Sequence, residues 1–449
     1  MFLPLPTDIL VWLLIGAATG FAWYCAKRPH LAAPWARVFR SRAAVGSAVF
    51  LAVYLLIGFL DSMHFRPALP AKEGQPVAYS TQAVSVLDVV LSSLRSRSER
   101  TYSAPLATRL FQKEQVEQPD GKSMRDFPRL RFGGAHLKDE AQASRDIALR
   151  ALAGLGAAIL IWLAIVLGTR KLLARRWPQV PWGAGFAALA ALFAIAGPVV
   201  ALAAQYHVLG TDKIGQDVLY QALKSIRTSL VIGTLTTLVL LPLGITTGIA
   251  AGYFRGWVDD VIQYVYTTLN SIPGVLLIAA SVLMVQVYVD ANPGLFPTAA
   301  QRSDFRLLML CAILGMVGWT GLARLLRGEA LKLSQLEYIQ AAHAFGVSHA
   351  RILSRHILPN VAHIVVIALV MDFSGLVLAE AVLSYVGVGV DPSTTSFGTM
   401  INAARLEMAR EPMVWWSLGT AFVFMFALVL AANLFADAVR DGFDPRVRV

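Results

Sequence analysis

Five side chains between residues 349 and 380 have types and spacings that could do chemistry. Three are histidines, His349, His356 and His363, which recur every seven residues, and two are acids, Asp372 and Glu380. Imidazole nitrogens bind zinc at about 2 Å, whereas seven residues of α-helix advance about 10 Å along the axis. The three rings therefore cannot share one metal ion, and the sequence predicts no metal site and no cofactor.

The two acids raise a different question, because they follow within a long apolar run. Asp372 and Glu380 are eight residues apart, which places them near one face of a helix and about 12 Å apart along its axis. An ionisable side chain at membrane depth costs on the order of 3 kcal/mol on insertion scales. Two interpretations are open: each acid makes a structural contact, as an interhelical hydrogen bond or by reaching toward the interface, or the acids line a hydrated pathway.

The whole chain has the composition of a membrane protein. It has 449 residues, of which 56% are hydrophobic and 15% charged, and a mean hydropathy of +0.59, which is too apolar for a soluble multidomain protein. The net charge is +11, but the lysines and arginines lie mostly beside apolar runs, as the positive-inside rule expects, and not in one nucleic-acid-binding domain. Cys25 and Cys311 both lie in apolar runs, so no disulfide framework or CxxC metal site is predicted.

The apolar runs predict an all-α, multi-span transmembrane bundle. Spanning helices need about 20 apolar residues, and nine runs qualify or come close: 9–26, 44–61, 148–168, 183–204, 228–252, 262–288, 306–326, 361–385 and 416–436. The placement of basic residues puts the N-terminus outside and the C-terminus in the cytoplasm. No basic residue precedes the first run, so it is predicted to be a retained span and not a cleaved signal peptide.

Residues 62–147 form a polar stretch that the alternation of spans places outside the membrane. Val86, Leu87, Val90, Leu91 and Leu94 predict an amphipathic helix within it. The turn-rich segment 128–137 has two open interpretations, a loop that packs against the outer face or a surface that contacts a partner. No set of catalytic residues is apparent in the stretch.

Residues 335–360 are polar and basic, although they lie between two long apolar runs. A short helix is predicted up to Phe345, and Gly346 suits its left-handed C-terminal position because glycine has no Cβ. Ser348 is predicted to cap a second helix, which should end at Leu358 because a residue before proline disfavours the α conformation. The prediction is a helix–turn–helix, called here the knob.

The knob resembles the cytoplasmic coupling loop of permease subunits of bacterial ABC importers, which carries an E-A-A…G…I.LP signature. The motif's glutamate is replaced here by Gln340, which keeps the side-chain length but removes a charge. The residues to which the resemblance assigns coupling to an ATPase are Glu337, Gln340, Ala341, Ala342, Gly346, Ile352, His356, Leu358 and Pro359.

Further matches to the dipeptide, oligopeptide and nickel branch of that family extend over about 207–446. They include the segment H-V-L-G-T-D-K-I-G-Q-D-V at 207–218, the S-I-P sequence that ends at Pro273, the segment around Glu380, and a tail with Asp444, Pro445 and Arg446. Pro273 is expected to kink its span, either for a gate or for packing. The resemblance implies a permease core of about six spans with about three extra N-terminal spans, since the family usually has one span before the core and four runs precede it here. The predicted domains are 1–61 and 148–204 with two spans each, an extracytoplasmic insertion at 62–147, and the permease core at 205–449.

The resemblance also implies a function and a set of partners. The chain would be a permease subunit of an ATP-driven importer of peptides or related solutes in the bacterial inner membrane. It would form half of the translocation pathway, with Asp372, Glu380 and Pro273 as candidate pathway residues. Its partners would be a second permease subunit in a heterodimer, ABC ATPase subunits, an extracytoplasmic substrate-binding protein and membrane lipid, with no nucleic acid.

Two other classes of protein are considered as alternatives. A stand-alone secondary transporter would require broken helices in symmetric halves, and none is apparent in the sequence. A membrane enzyme acting on lipid would require a catalytic set within the spans. The chain also lacks the ATP-binding motif G-x-x-x-x-G-K-[ST]. It is therefore predicted not to be an enzyme, and ATP is expected to be hydrolysed by partner subunits.

The topology can be tested with two reporter fusions. A reporter fused after Val449 should be cytoplasmic, and one inserted near Gly121 should be extracytoplasmic, because lysine and arginine bias the adjoining loops toward the cytoplasm. Protease protection or reporter activity in intact cells measures both. The opposite location at either site would refute the predicted topology.

Overall fold

The structure, a computed structural model, describes residues 2–68, 79–117 and 123–443. Gly121 and the tail residues Asp444, Pro445 and Arg446 lie outside the described residues. The first helices of that part are α1 (Pro6–Ala26), α2 (Pro29–Val38), α3 (Arg42–Asp61), α4 (Val86–Val90), α5 (Ser92–Ser96), α6 (Ala143–Arg176), α7 (Trp182–Ala203), α8 (Val218–Phe254) and α9 (Gly256–Ser271). They are followed by α10 (Gly274–Ala291), α11 (Ala299–Gly318), α12 (Thr320–Leu333), α13 (Glu337–Ala344), α14 (His349–Ile352), α15 (Leu358–Val386), α16 (Phe397–Arg405) and α17 (Trp416–Phe443).

Nine helical segments of the described chain are long and apolar enough to cross a membrane. They are Pro6–Ala26, Arg42–Asp61, Glu140–Arg176, Trp182–Ala203, Val218–Phe254, Gly274–Ala291, Ala299–Leu333, His349–Val386 and Trp416–Phe443. Several exceed the roughly 20 residues that a span requires, so their ends extend beyond the hydrocarbon layer. The prediction of an all-α, multi-span bundle is confirmed.

One predicted span, 262–288, is wrong as a single kinked helix. The chain forms two helices there, α9 and α10, and Ile272 between them is extended, with φ −89° and ψ 131°. The residue before a proline disfavours the α conformation, and the proline itself has no N–H to continue the helical ladder. Pro273 therefore precedes the apolar helix α10 as its N-cap residue and does not kink it from within.

The described chain divides into two compact units. One comprises residues up to Pro4, Phe39–Ser229 and Thr394–Leu434, and the other comprises Leu5–Val38, Leu230–Ser393 and the residues from Phe435 onward. Residues 1–61, predicted as one group of extra spans, are thus divided between the units. The predicted domain boundaries stay predictions.

In the first unit, α6 and α7 approach each other closely through two glycines. A Cβ on Gly154 would lie 2.5 Å from the carbonyl oxygen of Gly197, and a Cβ on Gly197 would lie 2.5 Å from that of Gly154. Small residues of this kind let the backbones of membrane helices pack tightly. The indole of Trp162 on α6 also donates a hydrogen bond of 2.9 Å to the carbonyl oxygen of Phe186 on α7.

The polar stretch after α3 contains short elements. Strand β1 (His64–Phe65) pairs antiparallel with β2 (Val84–Ser85), and β3 (Glu114–Glu117) pairs antiparallel with β4 (Ser123–Asp126). The single amphipathic helix predicted around residues 86–94 is wrong, because the chain forms α4 and α5 with a break at Leu91. Each short helix buries one leucine, Leu87 or Leu94, and the two serines that follow Leu91 have low helix propensity because they compete for backbone hydrogen bonds.

A buried cluster of charges ties this stretch to the start of α8. His207 is 2% exposed, and its Nδ1 lies 2.8 Å from Oδ2 of Asp217, while its Nε2 lies 3.4 Å from Oε1 of Glu99. Burial alone would lower the pKa of His207, but hydrogen bonding and attraction from the two carboxylates outweigh it and raise the pKa to about 9. The ring is therefore a buried cation at neutral pH.

The carboxylate of Glu99 also holds the turn-rich segment predicted at 128–137. It accepts backbone hydrogen bonds from Arg131 at 2.9 Å, Phe132 at 2.7 Å and Gly133 at 3.2 Å. Burial opposes ionisation of Glu99, but the hydrogen bonds from His207 and from these amides prevail and lower its pKa. The contacts favour the packing interpretation of the segment.

The second unit contains α1 together with helices of the predicted permease core. The backbone N–H of Thr7 donates to Oδ2 of Asp304 on α11 at 3.0 Å. Leu10 and Val11 pack against a buried apolar cluster that includes Ile232 on α8. The first span is thus part of the same compact unit as the knob.

Replacement of His207 by glutamine should destabilise the protein and flatten the dependence of its stability on pH. The folded-state pKa of about 9 lies above the unfolded value of about 6.5. The stabilisation, on the order of 3 kcal/mol, is therefore fully present below pH 6.5 and is lost as the pH rises through 9. Thermal unfolding of the purified chain in detergent between pH 6 and 10 measures it. His343→Gln, at an exposed histidine, should keep the wild-type dependence of stability on pH. The same dependence in His207→Gln would contradict the assignment of His207 as a buried cation.

Candidate functional site

The knob has the helix–turn–helix form that the sequence predicts. After α13, the backbone N–H groups of Phe345, Gly346 and Val347 donate to carbonyl oxygens of the helix, and Gly346 has a φ of +76°. A side chain is strained in this left-handed region. A Cβ on Gly346 would have no heavy atom within 4 Å, so backbone conformation, not space, accounts for glycine at the turn.

The predicted end of the second helix at Leu358 is wrong. Leu358 is α-helical, with φ −55° and ψ −44°, and α14 continues through a π-helical turn at Leu353–Ile357 into α15. In that turn the N–H of Leu358 donates to the carbonyl oxygen of Leu353, five residues back. The wider turn removes the need for an N–H at Pro359 and gives its ring room beside the preceding turn. Ser348 occupies the N-cap position of α14, but its side chain forms no capping bond.

The base of the knob is buried and its tip is exposed. Ile339, Ile352 and Ile357 are between 0% and 3% exposed and join an apolar cluster with Leu326 and other residues of α12 and α15. Phe345, beside Gly346, is 87% exposed. The knob therefore has an anchored base and presents one aromatic side chain to solvent at its tip.

An open groove of about 570 Å³ lies beside the knob, lined on one side by Gln340 and on the other by Tyr253 and Arg255. The hydroxyl of Tyr253 lies 2.8 Å from Nδ1 of His349, and a guanidinium nitrogen of Arg255 donates to the hydroxyl of Ser334 at 2.8 Å. Arg255 has φ +56° and ψ −166°, a region that costs a non-glycine residue about 1 to 3 kcal/mol. The groove is not predicted from the sequence, although the Gly256 that follows Arg255 is a signal of an unusual turn there.

The motif position Gln340 is exposed and uses its side-chain amide to donate to the carbonyl oxygen of Gln335 at 3.1 Å. A glutamate, which has no N–H, could not make that bond. Behind the groove, Arg327 on α12 forms two hydrogen bonds of 2.6 Å to Asp259 on α9. These bonds from Arg327 hold the pKa of Asp259 below its usual range, so they favour the charged carboxylate. The charged pair joins α9 to α12.

The three histidines have separate neighbours, as the spacing predicts. His349 contacts Tyr253, the His356 ring lies 6.1 Å from the Tyr338 ring, and Nδ1 of His363 hydrogen-bonds the carbonyl oxygen of Asn360.

The candidate pathway residues are not brought together. Glu380 is 0% exposed and accepts a hydrogen bond of 2.7 Å from Ser384, one turn along α15. Asp372 is half-buried, and no hydrogen bond or ion pair joins it to another residue that the structure describes. The neighbouring Phe373 packs closely on α8, since a Cβ on Gly233 would lie 2.4 Å from its ring. Pro273 is exposed at the start of α10.

Comparison with known proteins gives one family and several similar permeases. The sequence profile of the family described as "Binding-protein-dependent transport system inner membrane component" matches residues 244–449, a range that contains the knob, Asp372 and Glu380. The oligopeptide transport system permease protein OppC of Mycobacterium tuberculosis is 33% identical over 242 residues, which cover 54% of this chain and 77% of that protein.

Two further relatives match the same share of this chain. The glutathione transport system permease protein GsiD of Pectobacterium atrosepticum is 34% identical, over 54% of this chain and 73% of its own length. The dipeptide transport system permease protein DppC of Lactococcus lactis is 29% identical, over 54% of this chain and 64% of its own length.

The division of the knob into a buried base and an exposed tip can be tested by two alanine substitutions. Ile352→Ala creates a cavity at a fully buried position, where loss of isoleucine costs about 2 to 5 kcal/mol. It should speed amide hydrogen exchange across residues 337–352. Phe345→Ala removes an exposed side chain and should leave exchange unchanged. Equal exchange in Ile352→Ala and the unmodified protein would show that the base does not hold the knob.

Proposed function

Because the chain belongs to the family of binding-protein-dependent transport system inner membrane components, we propose that its knob is the element that couples the membrane spans to ATPase subunits. The chain is a permease subunit of an ABC importer, a multi-pass protein of the inner membrane that associates with ATPase subunits. It is a transport subunit and not an enzyme.

The continuity of the knob with a membrane span is the observation that carries the coupling proposal. From His349 to Val386 the chain forms one helical segment of 38 residues, which is about 57 Å long at the α-helical rise. The exposed Phe345 precedes this segment, and its buried Ile352 and Ile357 anchor it. A displacement of the tip by an ATPase would therefore be transmitted directly to the span that carries Asp372 and Glu380.

The coupling residues have distinct roles in this proposal. Gly346 provides the turn, Ala341 and Ala342 keep the surface of α13 low enough for close approach, and Ile352 anchors the base. Glu337, Gln340 and His356 offer polar contacts, and Leu358 and Pro359 begin the span. Because Gln340 has no charge, it offers the ATPase surface a hydrogen-bonding group and not an anion.

The proposed transport cycle is alternating access. ATP binding closes the ATPase dimer, the knobs move with it, and the spans open outward to receive substrate from an extracytoplasmic binding protein. The relatives are named for transport of oligopeptides, dipeptides and glutathione, which supports a peptide or a related solute as substrate. A second permease subunit would complete the pathway as a heterodimer, with this chain's N-terminus outside and its C-terminus in the cytoplasm.

The two acids in α15 are proposed to have different roles in this cycle. Glu380, buried and bonded to Ser384, is proposed to stabilise one arrangement of the outer part of the span. Asp372, half-buried, is proposed to face water in the pathway, because hydration avoids the cost of an ionised group in lipid. Pro273 is proposed to allow α10 to pivot at its exposed start. The comparisons give no support to the stand-alone secondary transporter.

The coupling role of the turn can be tested with Gly346→Val and Gln340→Glu. A β-branched residue at a φ of +76° costs about 1 to 3 kcal/mol, too little to unfold the packed spans. It should weaken co-purification of the ATPase subunits roughly 5- to 150-fold and abolish uptake. Gln340→Glu, which restores the family's charge, should keep or strengthen docking.

The matched control is Gly328→Val, at an exposed helical glycine of α12 with no atom within 4 Å of an added Cβ. It should keep both docking and uptake. Full docking and uptake by Gly346→Val, at normal protein level in the membrane, would exclude the knob as the coupling element.

The pathway role is tested by Asp372→Asn and Glu380→Gln, which keep side-chain shape and remove charge. Both should insert normally and retain the ATPase subunits. Uptake should fall in both, and further in Glu380→Gln, because that residue is fully buried and hydrogen-bonded. Asp260→Asn, at an exposed acid of α9, is the control. Unchanged uptake in Asp372→Asn would leave only a packing role for that residue.

A further inference from the structure

A second groove, of about 370 Å³, lies in the first unit between α3, α7 and α17. Its walls are apolar apart from Arg42 at one end and Ser47, and they include Gly46, Ala188 and Ala427. Small residues on all three helices leave the space unfilled: a Cβ on Gly46 would meet only the Cβ of Ala188, at 3.9 Å. No transport or coupling role described above uses this groove.

The helices that line the groove place it at the edge of the hydrocarbon layer. Arg42 begins α3, and Phe50, deeper in the groove, is about 12 Å further along the helix axis. Trp182 begins α7, and its ring lies 6.3 Å from that of Trp177, which in turn lies beneath the guanidinium of Arg176. Tryptophan and arginine together mark a membrane interface. The groove thus opens at the interface and extends into the region of the lipid tails.

Two segments that adjoin the mouth of the groove are rich in positive charge. The segments 27–60 and 169–182 contain no aspartate or glutamate, and the part of them in the first unit carries Arg40, Arg42, Arg170, Lys171, Arg175 and Arg176. Arg40 donates to the side chain of Gln179. Arg42, the cation that lines the groove, forms no hydrogen bond or ion pair with any residue that the structure describes. Arg42 is exposed, and an anion is the partner that complements this charge.

We propose that the groove binds one acyl chain of an anionic phospholipid, whose negatively charged headgroup is held by Arg42. Lipid tails are as apolar as the groove walls, so burial of the tail does not select among lipids; the headgroup charge does. Basic pockets between transmembrane helices bind such headgroups. A helix of a second subunit would offer Arg42 a matching charge only if it carried an acid at that point. The proposal rests on the membrane location of the chain and not on the coupling role of the knob.

The test measures which lipids the intact chain retains. The full-length protein, purified with its partner subunits, is exposed to phosphatidylglycerol or phosphatidylethanolamine of the same acyl composition, and retained lipid is quantified by native mass spectrometry. Phosphatidylglycerol should be retained preferentially. Arg42→Gln should weaken its binding about fivefold, as expected for loss of one basic residue near the membrane surface. The change for phosphatidylethanolamine should be smaller, because the ammonium group of that lipid offsets the charge of its phosphate.

Gly46→Leu fills the groove and should abolish specific retention of phosphatidylglycerol. Its matched controls are Gly168→Leu, at an exposed glycine of α6 with no atom within 4 Å of an added Cβ, and Arg176→Gln, at a cation that does not line the groove. Both controls should retain lipid normally. Thermal unfolding confirms that Gly46→Leu is folded, and Arg42→Gln tests the site without altering the core.

Three outcomes would overturn the proposal. The first is equal retention of the two lipids. The second is an equal loss in Arg176→Gln, which would show a diffuse surface charge and no site. The third is unchanged lipid retention in Gly46→Leu accompanied by dissociation of the second permease, which would assign the groove to a protein partner.

Discussion

Within a bilayer every backbone N–H and C=O needs a hydrogen-bond partner inside the protein, because lipid tails offer none. Two prolines of this chain meet that constraint in opposite ways. At Pro359 the helix continues, because the N–H of Leu358 reaches five residues back to Leu353. At Pro273 the helix ends, with Ile272 extended. One proline therefore lies within a continuous helical segment, while the other separates a short amphipathic helix from the span that follows.

Charged side chains connect the polar stretch after α3 to α8 in the first unit. Lys224 on α8 pairs with Asp61 at the end of α3, at 2.6 Å, and with Asp88 on α4, at 3.1 Å. His207 pairs with Glu99 and with Asp217 at the start of the same helix. The buried His207 and the partly buried Lys224 thus connect the polar stretch after α3 to one helix. Ion pairs of this kind are directional and costly to break, so the stretch is held as part of the bundle and is not a freely tethered domain.

Local signals were enough to predict much of this structure. Hydropathy predicts the spans because a spanning helix needs about 20 apolar residues, and Gly346 predicts the turn of the knob because few residues tolerate its backbone conformation. The π turn was beyond prediction, since α and π ladders use the same residues and differ only in which carbonyl each N–H reaches. The groove beside Gln340 was missed for another reason, because Arg255 reaches it from a distant part of the sequence. The ion pairs of His207 likewise join segments that no local pattern connects.

The π turn also determines how the knob is rotated about the helix axis relative to α15. A turn with i to i+5 bonds accommodates one more residue than an α-helical turn, and one residue of α-helix corresponds to a rotation of about 100°. The residues before Leu353 are therefore rotated about the helix axis by about that angle, relative to the residues after Ile357, when compared with a single uninterrupted α-helix. That offset allows Ile352 to face the buried cluster while α15 keeps its own orientation. Loss of a single residue from the turn would restore a regular helix and turn the tip of the knob away from its present direction, so chain length at this point is as restricted as residue type.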